Sequence, residues 1–442
     1  MKSTSNSRTN CLWCVAALLL SATVAMSGVE DFEYTTEGSE VTITRYRGFR
    51  FRWASVPSMI DGKSVTRIGE EAFSHNVKIA HVALPDTLVA IDKGAFKYCA
   101  NLSDITMSSN VLTIGAFAFA NCDNLTTVTI SSSVTNIGIC ALVSCTNLRE
   151  IAVSEKNQFY SSKEGVLFNK DKTLLIQYPA GKAERLVTIP RTVRSIGAAA
   201  FAGCVNLFRV DMPDSVISIG DVAFSACRSL TDITIPSSVT HIGSSAFVCC
   251  SSLNSVTLPE GINLIGNNQF SSCNGLTNVT IPASVTSIEE CAFFSCDRLT
   301  SVTIPKGVTN LGELAFASSG LLNISIPDSV ASIGRGAFFS CTNLASATVS
   351  GKDIDIGDAA FAKCGNLTNV TFLGTVKRLG DGSFSDCPSL VQMRFRCDPP
   401  DIRRGLFGCV FDKSTHLTVY YSAEAKGWLP TFAGRPTKQL IP

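Results

Sequence analysis

Leu230 to Ser252 reads LTDITIPSSVTHIGSSAFVCCSS, and this 23-residue pattern follows itself along most of the 442-residue chain. Its marker is Phe247, five residues after Ile242. Equivalent phenylalanines stand at Phe73, Phe96, Phe119, Phe201, Phe224, Phe270, Phe293, Phe316, Phe338, Phe361, Phe384 and Phe407, with Leu142 in the slot once. Most spacings are 23; one, between Phe316 and Phe338, is 22, and one, between Leu142 and Phe201, is 59, a period plus 36 further residues. A fixed period of this length marks a stacked repeat array, in which one long domain replaces several globular ones.

Within the unit, Leu230, Ile233 and Ile235 alternate with polar residues, a half-buried strand that Pro236 ends by withholding a ladder donor. Val239 and Ile242 form a second extended segment, and Gly243 corners the backbone. Ser244 to Cys250 carries Ala246, Phe247 and Cys250 at i, i+3 spacing, which predicts one short helical turn capped by Ser244. About eight side chains per unit then point inward, too few to fold one turn without neighbours.

Eleven of the 18 cysteines stand three residues after the marker, from Cys99 to Cys387, and form a column. Equivalent residues of stacked turns lie about 4.8 Å apart with parallel side chains, a poor arrangement for a disulfide. The column is therefore expected to hold unpaired thiols acting as small apolar groups. Off the column, Cys397 and Cys409 are the pair best placed for a disulfide. No recurring CxxC or convergent His and Cys set points to a metal.

The consensus LxxVxIPxxVxxIGxxAFxxCxx resembles the BspA-type leucine-rich repeats of secreted and surface proteins of bacteria and some parasitic protists. The resemblance covers about Val41 to the end of the chain. It implies a right-handed solenoid with a parallel β-sheet on the concave side. The expected fold is thus an α/β repeat solenoid, a leucine-rich repeat array of about fourteen turns. It has short convex helical turns and β-rich terminal caps.

Residues 1–25 read as a secretory leader: Lys2 and Arg8, then the apolar Cys11 to Val24, then Thr23-Val24-Ala25 as a small-residue cleavage site. Residues 26–60, with Val41-Thr42-Ile43 and Phe49-Arg50-Phe51, are expected to form an N-terminal β cap, in which Tyr46, Phe49, Phe51 and Trp53 pack or, alternatively, make a binding face. The solenoid spans 61–410 and is interrupted at 154–186, where GVLFNKDKTLLIQYP reads as an inserted hairpin; 411–442 supply a last strand and cap. In the short repeat at AFASSGL, Gly320 suits a tightened turn.

Charged residues make up 17% of the chain and the formal net charge is +1, so nothing resembles the electrostatic footprint of a nucleic-acid partner. Four histidines, none in a paired motif, and the lack of a GxSxG elbow or a Gly-rich phosphate loop exclude the common catalytic and cofactor signatures. No apolar run is long enough to span a membrane in the mature chain.

What varies is the outward strand position occupied by Asp104, Glu150, Arg209, Asp232, Asn278, Asn323 and Gln392, beside a column composed mostly of Thr. Variation on a concave sheet is where ligand specificity resides. The interruption adds Phe159, Tyr160 and Tyr178 beside Lys163, Lys170 and Lys172, the composition of a recognition patch. The resulting expectation is a non-catalytic exported or cell-surface protein that binds a protein or glycan. The alternative is an extracellular scaffold without a specific ligand.

Overall fold

A computed structural model describes residues 28–48, 52–403, 405 and 409–440. The leader reading, Phe49 to Phe51 and the marker Phe407 lie outside the described residues. The fold is a β-solenoid of about sixteen turns with parallel sheets. One row of strands is built from Asp232–Thr234 and its equivalents, the other from His241–Ile242 and its equivalents. The two rows are called here the first and second sheets.

Sixteen turns replace fourteen because the aromatic column extends beyond its consensus. Tyr46 stacks on Phe73 at 4.9 Å, and Tyr178 stacks on Phe201 at 5.1 Å. At the far end Phe411 takes the ladder position, 6.2 Å from Phe384. From Phe201 to Phe384 successive rings lie 4.9–5.5 Å apart and within 10° of parallel. Each such pair contributes about 0.5–1.5 kcal/mol beyond the area it buries.

The expected helical turn is absent: among the described residues the single helical element is the three-residue 3-10 turn Val29–Asp31. Ser244 to Cys249 instead form successive tight turns, with Ser245 and Cys249 in the left-handed region at φ 56° and 60°. The reason lies in where the N–H groups go. Val248 and Cys250 donate within the turn, to Ser245 O and Phe247 O. Ser245, Phe247 and Cys249 donate to Asn267, Gln269 and Ser271 O of the next turn, at 2.8–3.0 Å. An α-helix commits every interior N–H to its own segment and would leave no donor for the neighbouring turn. Each left-handed residue costs about 1–2 kcal/mol, and the bonds to the adjacent turn offset it.

The cysteine column does more than fill space. Every column Cys except Cys204 donates its S–H to the carbonyl of the marker in the preceding turn, at 3.0–3.2 Å. The Tyr178 carbonyl that Cys204 would reach accepts from the Gln177 side-chain amide instead, at 3.1 Å. After Phe384 the slot is Ser414, buried, whose hydroxyl donates to Phe384 O at 3.2 Å. Burial pushes the thiols of Cys99, Cys145 and Cys273 up to about 12, so the proton this bond needs stays in place.

Cys397 and Cys409 are both free thiols, contrary to the expected disulfide. They sit at different stations of the turn: Cys397 follows the strand Gln392–Phe395 and lies half-buried against the core, while Cys409 is exposed just before Val410 and Phe411.

Gly243 answers a close approach between turns, since a Cβ there would meet Asp221 N at 2.4 Å. At Gly320, in the 22-residue repeat, it would meet Asp297 O at 2.1 Å.

The ends close as β-structure. Phe32–Glu37 pairs antiparallel with Glu40–Tyr46, which then pairs parallel with Lys63–Ile68. At the C-terminal end Arg435–Gln439 lies beside Thr418–Tyr421, Trp428 stacks on Tyr421, and its indole N–H donates to Cys397 O at 3.0 Å.

The thiol column predicts a pH effect of defined sign. In the unfolded chain the thiols ionise near pH 9, whereas in the folded state they hold their protons up to about 12. Stability is therefore full below pH 9 and is lost as pH rises toward 12. Urea midpoints should fall steeply over that window, and a flat profile from pH 9 to 11 would contradict the buried column.

A second expectation concerns Val222, a β-branched residue held at φ 51°. Val222→Gly should raise stability by about 1 kcal/mol or leave it level, since strain relief outweighs the added chain entropy. Thermal melting of the single variant checks this.

Candidate functional site

The first sheet places the variable outward residues in register. Leu186, Arg209, Asp232, Ser255 and Asn278 are successive cross-strand partners. Asn323, Ser346, Asn369, Gln392 and Thr418 form a second such run. Glu150 pairs with Thr127, and Asp104 with His81. The seven residues singled out from the sequence therefore occupy one structural position, divided among four runs. All are exposed except Gln392, which is half-buried.

Side chains of the row interact with neighbours along and across the strands. Arg209 Nε donates to Asp211 Oδ1 at 2.7 Å, and that bond, with Asp232 nearby, raises the guanidinium's pKa further. Ser346 Oγ donates to Asn323 Oδ1 at 2.6 Å. Surface ion pairs of this kind add little stability, which leaves these positions free to vary.

One part of this face escaped the sequence reading. Trp53 belongs to the first sheet, as the partner of His81 in the strand Trp53–Ser55. Its ring is 39% exposed and stacks on His81 at 4.5 Å. His81 Nδ1 lies 4.0 Å from Asp104 Oδ2. The spacing from Trp53 to His81 is 28 rather than 23, which conceals the equivalence.

The 59-residue interval resolves into a complete extra turn of 36 residues, from Leu142 to Tyr178, followed by an ordinary one. Tyr160–Lys163 and Val166–Asn169 make an antiparallel hairpin, and Leu174–Gln177 joins both this hairpin and the second sheet. Tyr178 is consequently a core residue, 4% exposed, not part of a recognition surface. Burial pushes its phenol pKa up. Phe159 is half exposed. Tyr160 is half-buried, and its hydroxyl accepts the Ile137 N–H at 2.8 Å.

Asn157, also unnoticed in the sequence, anchors the segment. It is fully buried, donates to Ser131 O at 2.8 Å and Val134 O at 2.9 Å, and accepts from Phe159 N and Tyr160 N at 2.8 Å each. Lys170 Nζ donates to Asn157 O.

This turn creates a seam. The second sheet ends at Asn136–Ile137 and resumes at Leu174–Gln177, and the first ends at Glu150–Val153 and resumes at Leu186–Thr188. The buried core divides at the same place into two clusters. Elsewhere among the described residues a break in one sheet is spanned by the other. Two clefts flank the hairpin. One, of about 380 Å³, runs along Ile137, Leu142, Phe159 and Ile176. The other, of about 390 Å³, is bordered by Lys163, Glu164, Tyr178 and Glu184.

Among the described residues no group of three or more His, Cys, Asp or Glu side chains is placed to hold a metal ion. None of their helices is long and apolar enough to cross a membrane.

The BspA type leucine rich repeat region matches this chain in six copies, at residues 47–171, 183–282 and 263–391. No curated protein matches the sequence. Among solved structures, a leucine-rich repeat protein from Eubacterium ventriosum is 25% identical, with a TM-score of 0.53, covering 65% of this chain and 92% of that one. A leucine rich cell surface protein from Faecalibacterium prausnitzii is 26% identical, with a TM-score of 0.45, over 62% and 93% of the two chains. A leucine-rich repeat protein from Bacteroides ovatus is 22% identical, with a TM-score of 0.40, over 94% and 100%.

Asn157→Ala should cost about 3 kcal/mol, because it leaves buried backbone donors and acceptors unpaired. The loss is read from urea unfolding. Hydrogen exchange should localise it to Ser131–Val134 and Phe159–Tyr160; a loss below about 0.5 kcal/mol would show that the anchor is dispensable.

Proposed function

We propose that this chain, which belongs to the BspA-type leucine-rich repeat family, is a non-catalytic exported or cell-surface binding protein. It recognises a protein or glycan through the outward face of the first sheet. The observation that carries this reading is the registered row itself. Core positions repeat Phe, Cys, Ile and Val from turn to turn, while the row in register with Asp232 changes residue at every step, in charge from Leu186 through Ser255 and in size throughout. A solenoid needs its inward residues to stack; it does not need the outward row to differ.

The row offers two chemistries. Near Trp53, an exposed indole beside His81 and the Asp104 carboxylate suits a ring with one apolar face and hydroxyls at its edge. Around Arg209 and Asp232 the charges suit a complementary protein surface. The basic residues and apolar run at Lys2 to Val24 support export. Phe159 and the hairpin lysines add a second contact region.

Capture of extracellular protein and glycan components by the purified protein tests the reading. The charge reversal Arg209→Glu with Asp232→Lys, or Trp53→Ala, should lower capture of the bound component tenfold or more while leaving the melting temperature unchanged. A tenfold loss corresponds to about 1.4 kcal/mol. If the folded protein captures no component, a ligand-free scaffold is the better reading.

A further inference from the structure

The first of the two clefts at the seam has a lining unlike the rest of the surface. On one side stand Ile137, Ile139 and Leu142, on the other Leu174 and Ile176, with Phe159 across the hairpin side. None of the residues that line it carries a charge, in a chain where charged residues make up 17%. The neighbouring cleft, by contrast, is bordered by Lys163, Glu164, Lys182 and Glu184.

The cavity has a structural cause. The hairpin Tyr160–Lys163 and Val166–Asn169 enters where the second sheet would continue, so Leu174–Gln177 does not pair with Asn136–Ile137. Leu142 in place of an aromatic ring removes further volume from the same wall. The resulting space, about 380 Å³, lies within the size range of small-molecule sites. At its rim Ile139 is 66% exposed and Phe159 50% exposed.

One polar group is oriented by the fold. Tyr160 Oη accepts the Ile137 N–H, so its own O–H remains to donate. A charged ligand would lose its hydration here with no counter-charge in the lining. A neutral ligand with one acceptor oxygen would lose little and bury apolar area on three sides.

We propose that this cleft binds a neutral, apolar small molecule that carries one hydrogen-bond acceptor, held by contact with the isoleucine and leucine walls and by the Tyr160 hydroxyl. The site is separate from the outward row of the first sheet, so either can fail without the other.

Nile red, an uncharged dye with a ring carbonyl, is the test ligand, titrated into the purified protein and followed by fluorescence. One saturable site is expected. Ile139→Asp, at an exposed position, should weaken binding tenfold or more with the melting curve unchanged. Ala198→Trp, which fills the wall, should do the same and guards against a folding defect in the first variant. Tyr160→Phe should weaken Nile red several-fold while leaving binding of N-phenyl-1-naphthylamine, which has no carbonyl, within twofold. Arg209→Glu should change neither. No saturable binding to the folded protein, or binding that both Ile139→Asp and Ala198→Trp leave intact, overturns the site. Equal loss of both dyes in Tyr160→Phe overturns the hydrogen-bonding role.

Discussion

Each turn of this molecule is held by groups it lends to its neighbour. The N–H groups of Ser245, Phe247 and Cys249 leave their own turn to reach the next one, and the Cys250 thiol reaches back to the Phe224 carbonyl of the turn before. The left-handed residues, the absence of helix and the Phe and Cys columns all follow from this exchange. Residues placed in strained conformations free alternate donors, and a thiol kept protonated by burial supplies one more. Side chains that must bond or stack on their own image one turn away have little room to vary.

Because every turn depends on both neighbours, an interruption has consequences in proportion to how many of these links it breaks. Around the 22-residue repeat the first sheet is interrupted, between Asn278–Thr280 and Asn323–Ile326, but the second is not, and the rings of Phe293, Phe316 and Phe338 stack through it. The 36-residue turn interrupts both sheets, the aromatic ladder and the core together. There the hairpin and Asn157 take over, joining the halves by Ile151 N to Gly165 O, Gly181 N to Leu148 O and Ile137 N to Tyr160 Oη. The surface least like the repeat thus arises where the inter-turn exchange stops.

Much of this was legible from spacing. The period located fourteen marker slots, the strand pattern and the unpaired thiol column, and it separated constant inward positions from the varied outward row. It misread Ser244 to Cys250 as a helical turn because apolar residues at i, i+3 satisfy both a helix and a chain of tight turns; the choice depends on donors that belong to another turn. It placed Tyr178 on the surface and Trp53 in the cap because both sit outside the 23-residue register. It paired Cys397 with Cys409 by elimination, although the two occupy different stations of the turn.

The sequence by itself determined the repeat and, through the family resemblance, the solenoid, because the inward side chains recur at a fixed period whatever their surroundings. Only the tertiary structure decided that the extra 36 residues make a turn of their own, that Tyr178 completes the ladder, and that an uncharged cleft opens between Leu142 and the hairpin. Those outcomes depend on which turn faces which across the seam. Contacts between residues at irregular separations leave no period in a sequence.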